Sequence, residues 1–269
     1  SQTIARPQFR ELAASEFVDP ESSRRFQGNP LLGDTTFKNY DARLEYFFGR
    51  DRFVTFGAFY KDIDDPIEEA TNELDGRLRT GYIAAPKAEL YGGEFEFRNR
   101  FEMPFDIPFI EGAEWLFTTN YTLSFSQVSA GDELIGSPFD AGALIPASTV
   151  FVATESDELV GTPRHIVNGQ FGYQTDRSQF TVLANWVSER LARRGVGVPA
   201  VFERPGFNLD AVFRRNFDIG GNQYVLGLAG RNLLGVEANF FQNSEILGEV
   251  PIDRFERGRS FTASVTANF

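Results

Sequence analysis

Residues 115–126 read WLFTTNYTLSFS, a stretch whose two sets of alternate positions differ in chemistry. The odd-numbered positions carry Trp, Phe, Tyr, Leu and Phe with one Thr, whereas Thr, Asn and Ser fill the even positions from 118 onward. A period of two residues is typical of a β-strand with one apolar and one polar face. The stretch therefore predicts such a strand.

The same alternation recurs along most of the chain. It predicts further strands at residues 36–48, 54–60, 90–101, 164–173, 180–188, 207–214, 224–231 and 260–269, which makes nine strands in all. Residues 1–5 resemble the end of one more strand, and no segment has a convincing helical period. The sequence therefore predicts an all-β fold of about nine to ten antiparallel strands.

The connections between these strands alternate in length. Those after Phe48, Tyr173 and Arg215 are a few residues long, whereas residues 62–87, 127–161, 190–203 and 232–258 form long polar links. Short turns at one end and long loops at the other are typical of bacterial outer-membrane barrels. A soluble β-sandwich also alternates, but strands of about ten residues with aromatic side chains near their ends favour a transmembrane barrel. Trp115, Tyr121 and Trp186 are predicted to anchor the membrane interface.

Composition excludes several classes of protein. The 269 residues include 29 Phe but no Cys, which excludes disulfide frameworks and Cys-ligated metal sites. The 26 basic and 38 acidic residues give a net charge of -12, which argues against nucleic-acid binding. His165 is the single histidine, and no Ser or Asp lies at a spacing that indicates a catalytic partner. The sequence thus predicts no catalytic residue, cofactor or metal site.

Two groups of residues are candidates for a functional site. Polar-face positions are predicted to face a wet lumen, where they could line a substrate path, contact a plug or form cross-strand charge pairs; they are Asn39, Asp41, Arg43, Glu45, Glu94, Glu96, Arg98 and Asn120. The second group is an acidic run in one long outer loop, which could hold a hard cation or be a solvated loop. It lacks the spacing of a calcium loop, which favours the solvated loop; its residues are Asp62, Asp64, Asp65, Glu68 and Glu69, followed by Glu73 and Asp75.

Short motifs, in order along almost the whole chain, resemble those of the TonB-dependent receptors of the bacterial outer membrane. They are Thr3-Ile4-Ala5-Arg6-Pro7, Phe9, Glu11-Leu12, Gly28-Asn29-Pro30-Leu31, Asn39-Tyr40-Asp41, Leu44-Glu45-Tyr46-Phe47, Phe59-Tyr60-Lys61-Asp62-Ile63, Leu90-Tyr91-Gly92-Gly93-Glu94-Phe95-Glu96, Asn232-Leu233-Leu234 and Gly258-Arg259-Ser260-Phe261. Because such receptors have a plugged barrel of about 22 strands, the resemblance implies that residues 1–269 are the C-terminal part of one. The plug domain and the N-terminal strands would then lie outside this chain.

The resemblance also implies a function and partners. The receptor would take up a scarce small-molecule ligand (a siderophore, haem, or a glycan or other nutrient) across the outer membrane of a Gram-negative bacterium. The chain would contact outer-membrane lipid, depend on the TonB system through the plug, and present Phe269 to the assembly machinery. Two alternatives remain open: a small barrel enzyme, protease or lipase, with His165 as its base, and a structural barrel of a surface assembly.

Overall fold

The computed structural model is built almost entirely of β-strands, and it describes residues 1–20, 24–103, 110, 112–140, 142–151, 157–244 and 246–268. The first strands in chain order are β1 (Gln2–Ala5), β2 (Glu16–Val18), β3 (Arg25–Gln27), β4 (Thr35–Gly49), β5 (Arg52–Asp64), β6 (Ile67–Leu74), β7 (Arg77–Ala84), β8 (Lys87–Glu102), β9 (Glu114–Ser129) and β10 (Leu134–Gly136). They are followed by β11 (Leu144–Pro146), β12 (His165–Gln174), β13 (Ser178–Val187), β14 (Arg190–Gly195), β15 (Val201–Arg204), β16 (Gly206–Ile219), β17 (Asn222–Arg231), β18 (Glu237–Ser244), β19 (Gly248–Glu256) and β20 (Ser260–Asn268). The helices of the described chain, α1 (Phe9–Leu12) and a 3-10 turn (Ala147–Thr149), are each about one turn long and cannot cross a membrane.

Ten strands form one antiparallel sheet, which we call the wall. Its order is β1-β4-β5-β8-β9-β12-β13-β16-β17-β20, so each strand pairs with the wall strands before and after it in the chain. The predicted all-β fold is confirmed: the nine predicted strands are all present, and residues 1–5 contain the tenth, β1. The sheet is not closed, and β1 and β20 are its edges.

The wall has two chemically different faces. On one face, which we call the aromatic face, rings of neighbouring strands pack against one another. The rings of Tyr91 and Phe125 stack with centroids 5.6 Å apart, and those of Phe56 and Phe95 pack in a tilted arrangement with centroids 5.2 Å apart. Directly opposed pairs of this kind each contribute about 0.2–1 kcal/mol relative to alanine. The opposite face, which we call the polar face, carries most of the wall's charged side chains, such as Arg43 and Glu96.

The short connections lie at one end of the wall, and the long connections at the other end are folded. Strands within the long connections form a second sheet, the loop sheet, in the order β19-β18-β15-β14-β6-β7-β3-β2. The predicted alternation of short turns and long connections is confirmed, but the strands inside the long connections were not predicted. One missed signal is Asp75-Gly76, where φ angles of 52° and 73° form the tight turn between β6 and β7. An Asp-Gly pair favours this kind of hairpin because both central residues need positive φ.

The loop sheet lies over the polar-face side of the wall. Ile63, Ala88 and Val128 are opposed residues of β5, β8 and β9, and their side chains share a buried core with Ala70 and Ile83 of the loop sheet. The segment between β9 and β12 fills the space between the two sheets with Ala147, Val150, Phe151 and Leu159. One face of the loop sheet therefore packs toward the wall, and its other face is turned away from it.

A buried ion pair joins three of the long connections. Arg194 Nε of β14 donates to Glu68 Oε2 of β6 at 2.8 Å, and these side chains are only 5% and 2% exposed. The backbone N–H of Val160 donates to Glu68 Oε1 at 3.0 Å, and Arg194 Nη2 donates to the carbonyl of Glu158 at 2.8 Å. The pair thus ties together connections that lie far apart in sequence.

We expect Glu68→Ala to loosen the loop sheet and leave the wall intact. The substitution leaves Arg194 buried without its carboxylate, a loss that costs about 3–5 kcal/mol in comparable buried pairs. Hydrogen exchange of the purified protein in detergent, read by mass spectrometry, should accelerate in β6, β14 and residues 157–160. Glu249→Ala is the matched control because it breaks an ion pair with Arg204 whose side chains are 48% and 45% exposed, and such pairs contribute about 0–1 kcal/mol. Equal exchange rates in the two variants would contradict this role for Glu68.

Candidate functional site

A single row of polar side chains runs across the polar face of the wall. Strand pairing places one residue from each of seven consecutive wall strands, β4 to β16, directly opposite the next, so that all seven share this face. The row is Glu45, Thr55, Glu96, Asn120, Asn168, Asn185 and Asn208. It extends across seven of the ten wall strands.

Three of the four asparagines of the row are linked to one another by side-chain hydrogen bonds. Asn168 Nδ2 donates to Asn120 Oδ1 at 2.7 Å, and Asn185 Nδ2 donates to Asn168 Oδ1 at 2.6 Å. At the far end, Asn208 Nδ2 donates to Asp210 Oδ1 at 3.2 Å, and the same oxygen accepts the backbone N–H of Asn232 at 2.8 Å. Asn168 donates through its amide nitrogen and accepts through its amide oxygen, and these two bonds fix the orientation of its amide group.

The charged end of the row is an ion-pair cluster. Arg43 Nε lies 2.6 Å from Glu45 Oε1, and Arg43 Nη2 lies 3.6 Å from Glu96 Oε2. All three side chains are partly or largely exposed, so the pairs contribute about 0–1 kcal/mol each. The structure thus brings three of the predicted lumenal residues together.

The remaining predicted lumenal residues lie on the same face without joining this cluster. Asn39 donates to the hydroxyl of Thr3 at 3.1 Å. Within the described chain, Asp41, Glu94 and Arg98 form no ion pair, and Arg98 Nε is buried without a hydrogen-bond partner. Alternation within each strand places these residues on the polar face, whereas the register between strands keeps them apart from the ion-pair cluster.

Most of the acidic run lies in strands and not in the predicted solvated loop, although Glu73 and Asp75 at its end are exposed. Asp62 and Asp64 end β5, Asp65 follows in a turn with φ 56°, and Glu68 and Glu69 belong to β6. Asp62 lies 3.2 Å from Lys38 and 3.0 Å from Lys87. Glu69 lies 3.8 Å from Arg24, and Glu68 holds Arg194. Among the described residues, no three acidic or histidine side chains converge on one point that could hold a metal ion.

His165 lies on the aromatic face, away from the polar row. It is opposite Leu123, its Nδ1 is 2.8 Å from the Tyr121 hydroxyl, and its ring stacks between those of Tyr121 and Trp186. In the described residues this is the only hydrogen bond of the imidazole. Trp115 stacks on Phe171 at the opposite end of the wall. Predicted interface anchors are thus found near both ends of the wall.

Besides Thr55, four site residues were not predicted: Asn168, Asn185, Asn208 and Asp210. A weak signal was available, because asparagine and aspartate are depleted in strands, yet these four occur inside alternating stretches. Their alignment depends on the register between strands, which alternation within one strand does not reveal. Phe269, predicted to be an assembly signal, lies outside the described residues.

Large apolar side chains of the aromatic face are exposed over a continuous area. Leu44 is 70% exposed, Tyr40 62% and Phe56 55%, all on neighbouring strands β4 and β5. Soluble monomers rarely expose apolar patches beyond a few hundred Å². An apolar band with aromatic residues at its ends is what a lipid-facing barrel surface carries.

Comparisons with known proteins agree with this architecture. The family described as TonB dependent receptor-like, beta-barrel matches residues 1–233. Among solved structures, the chain is similar to a single-substitution variant of the ferric enterobactin receptor of Pseudomonas aeruginosa in complex with enterobactin. That comparison has a TM-score of 0.54 at 16% identity and covers 100% of this chain and 37% of that one. A double-substitution variant of the same receptor gives a TM-score of 0.51 at 18% identity, again with 100% and 37% coverage.

This chain therefore spans about 37% of the length of the solved receptors it matches. No curated protein is significantly similar to it in sequence. At these identities the solved structures establish the fold alone, whereas the family match covers most of the chain. The chain belongs to the TonB-dependent receptor β-barrel family, an outer-membrane family of Gram-negative bacteria.

Proposed function

We propose that this chain is the C-terminal part of the barrel of a receptor that takes up a scarce small-molecule ligand into the periplasm with energy relayed by TonB. The ligand would be a siderophore, haem, or a glycan or other nutrient. The plug domain and the remaining strands would come from the rest of the receptor. The open edges β1 and β20 and the 37% coverage of the solved receptors support this division.

The observation that carries the proposal is the two-faced wall. The polar row from Glu45 to Asn208 would line the lumen, where water and a plug can satisfy its remaining hydrogen-bonding groups. The aromatic face would contact lipid, because its exposed Leu44 and Phe56 have no other apolar cover among the described residues. A spanning sheet must satisfy its backbone groups through closed strand pairing, which here requires additional strands beyond the two edges.

The arrangement suggests a passive chemical role for the lumenal residues. The asparagine amides hydrogen-bond to one another, and Arg43 is neutralised by Glu45 and Glu96. Such a surface offers weak, exchangeable contacts to a plug or a passing ligand. His165 faces the lipid side in this arrangement, so it gives no support to the enzyme alternative. The assembly machinery and the TonB system would act on parts outside the described residues.

The lipid-facing assignment predicts opposite results for two adjacent residues. Val182 lies on the aromatic face opposite Phe171, and Leu183 lies on the polar face opposite Gln170 and Asp210. Val182→Arg should destabilise the barrel by about 2–4 kcal/mol, the cost of arginine near the bilayer midplane. Leu183→Arg should have little effect because its guanidinium would remain in the wet lumen. Urea unfolding of the receptor in lipid vesicles would measure both, and equal destabilisation would contradict the assignment of faces.

Uptake tests the function itself. Cells that carry the receptor should accumulate one of three labelled probes: a ferric siderophore, haem or an oligosaccharide. Deletion of the gene for this chain and deletion of the TonB gene should each abolish uptake of the same probe, because the energy is relayed through TonB. The proposal would be contradicted if the parent cells contain the receptor at normal abundance and its deletion changes the uptake of none of the probes. Uptake that survives deletion of the TonB gene would also contradict it.

A further inference from the structure

An arginine-rich cavity lies within the loop sheet. It encloses about 490 Å³ and is lined by Arg24, Arg25, Arg77 and Arg193, with Asp253 as its acidic residue. Thr71 and Thr80 place hydroxyl groups at the same cavity. Ligand pockets for small molecules typically measure about 300–1,000 Å³, so the cavity is large enough for one.

The cavity is on the face of the loop sheet that is turned away from the wall. Ala70 packs into the core against the wall, so the next residue, Thr71, points to the opposite face, as does its strand partner Thr80. Arg193 is likewise adjacent to Arg194, whose side chain pairs with Glu68, so Arg193 points to the face opposite that of Arg194. If the wall closes into a barrel, this face borders the mouth of the lumen.

The charge of the cavity is opposite to that of the chain. Four guanidinium groups and one carboxylate line it, although the whole chain has a net charge of -12. Two of these arginines already have acidic partners, since Arg24 lies 3.8 Å from Glu69 and Arg25 lies 2.7 Å from Glu16. Glu203, another acid of the loop sheet, lies 2.6 Å from Arg190. Within the part of the chain that the structure describes, Arg77 and Arg193 are therefore the cavity arginines without an ion-pair partner.

Arg193 is the central feature. It is 5% exposed, and its guanidinium lies 5.4 Å from the centre of the Phe240 ring. Among the described residues, no acidic side chain forms an ion pair with Arg193 and no acceptor hydrogen-bonds to it. Burial, and then the nearby Arg24, lower the pKa of Arg193 to about 10. Burying a charge without a partner costs several kcal/mol, and an anionic ligand would offset that cost.

We propose that the arginine cavity binds a polyanion, a small molecule with at least two carboxylate or phosphate groups, and that the ligand taken up by this receptor is of this class. Guanidinium groups bind such oxyanions through paired hydrogen bonds, and the aromatic ring beneath Arg193 orients its planar fork. Thr80 would donate a further hydrogen bond, whereas the Thr71 hydroxyl already donates to the carbonyl of Arg79 at 3.1 Å. The assignment of the ligand class rests on the proposed uptake function, whereas the binding site itself does not.

Direct binding tests the inference without transport. Citrate and pyrophosphate, titrated separately into the purified receptor in detergent, distinguish carboxylate from phosphate recognition. At least one should bind, and its affinity should fall as sodium chloride is raised from low to high concentration. Arg193→Met should weaken binding about 10- to 100-fold, as expected for loss of hydrogen bonds between charged groups. Arg254→Met is the matched control, because Arg254 is an exposed arginine of β19 that is paired with Glu237 of β18.

A second variant keeps the test decisive if Arg193→Met does not fold. Arg77 lines the cavity from an exposed position in the β6–β7 hairpin, so Arg77→Met should fold and weaken binding of the same anion. Failure of the wild-type receptor to bind either anion would overturn the inference, as would unchanged affinity in Arg77→Met and in any folded Arg193→Met. Neither result would contradict the proposed uptake function, because that function is tested by TonB-dependent accumulation and a neutral ligand could also be taken up.

Discussion

Antiparallel pairing in continuous register is the constraint on which the structure of the wall depends. Because successive side chains of a strand point to opposite faces, a slip of one residue would exchange the aromatic and polar faces of that strand. The row from Glu45 to Asn208 exists because six successive strand pairings keep the same parity. Stacked rings on the opposite face, such as Tyr91 on Phe125, stabilise the same register. The register between strands therefore determines both which side chains lie on the aromatic face and which lie on the polar face.

The loop sheet depends on a different kind of interaction. Its strands come from connections far apart in sequence, and the parallel contact between β6 and β14 involves only Arg194 opposite Ala70 and Gly195 opposite Thr71. Because this ladder is so short, side-chain interactions must stabilise it. The buried Glu68–Arg194 ion pair and the hydrophobic core around Ile83 provide these interactions.

The strands of the wall could be predicted from the sequence, but those of the loop sheet could not. Alternation such as that of Trp115–Ser126 predicted all nine long wall strands, because one face of each is apolar along its whole length. The loop-sheet strands are short, and several have both faces covered, so β14 reads Arg-Leu-Ala-Arg-Arg-Gly with no clear period. Glu68 appeared to be a solvated acid because its partner lies 126 residues away. The asparagine ladder was visible only as single residues, since register is a property of pairs of strands.

Adjacent residues of β14 connect the two layers. Arg194 is neutralised by Glu68 and anchors three connections on the wall side, while Arg193 faces the cavity without an acidic partner. An anion held by Arg193 would restrain the same short strand that carries the anchor. A ligand that binds only the folded state stabilises it by about 2.7 kcal/mol at a concentration one hundred times its Kd. Part of that stabilisation would act on the loop sheet, because β14 cannot leave its place without losing both partners. Occupancy of the cavity and order in the connections above the lumen would therefore be coupled through one strand.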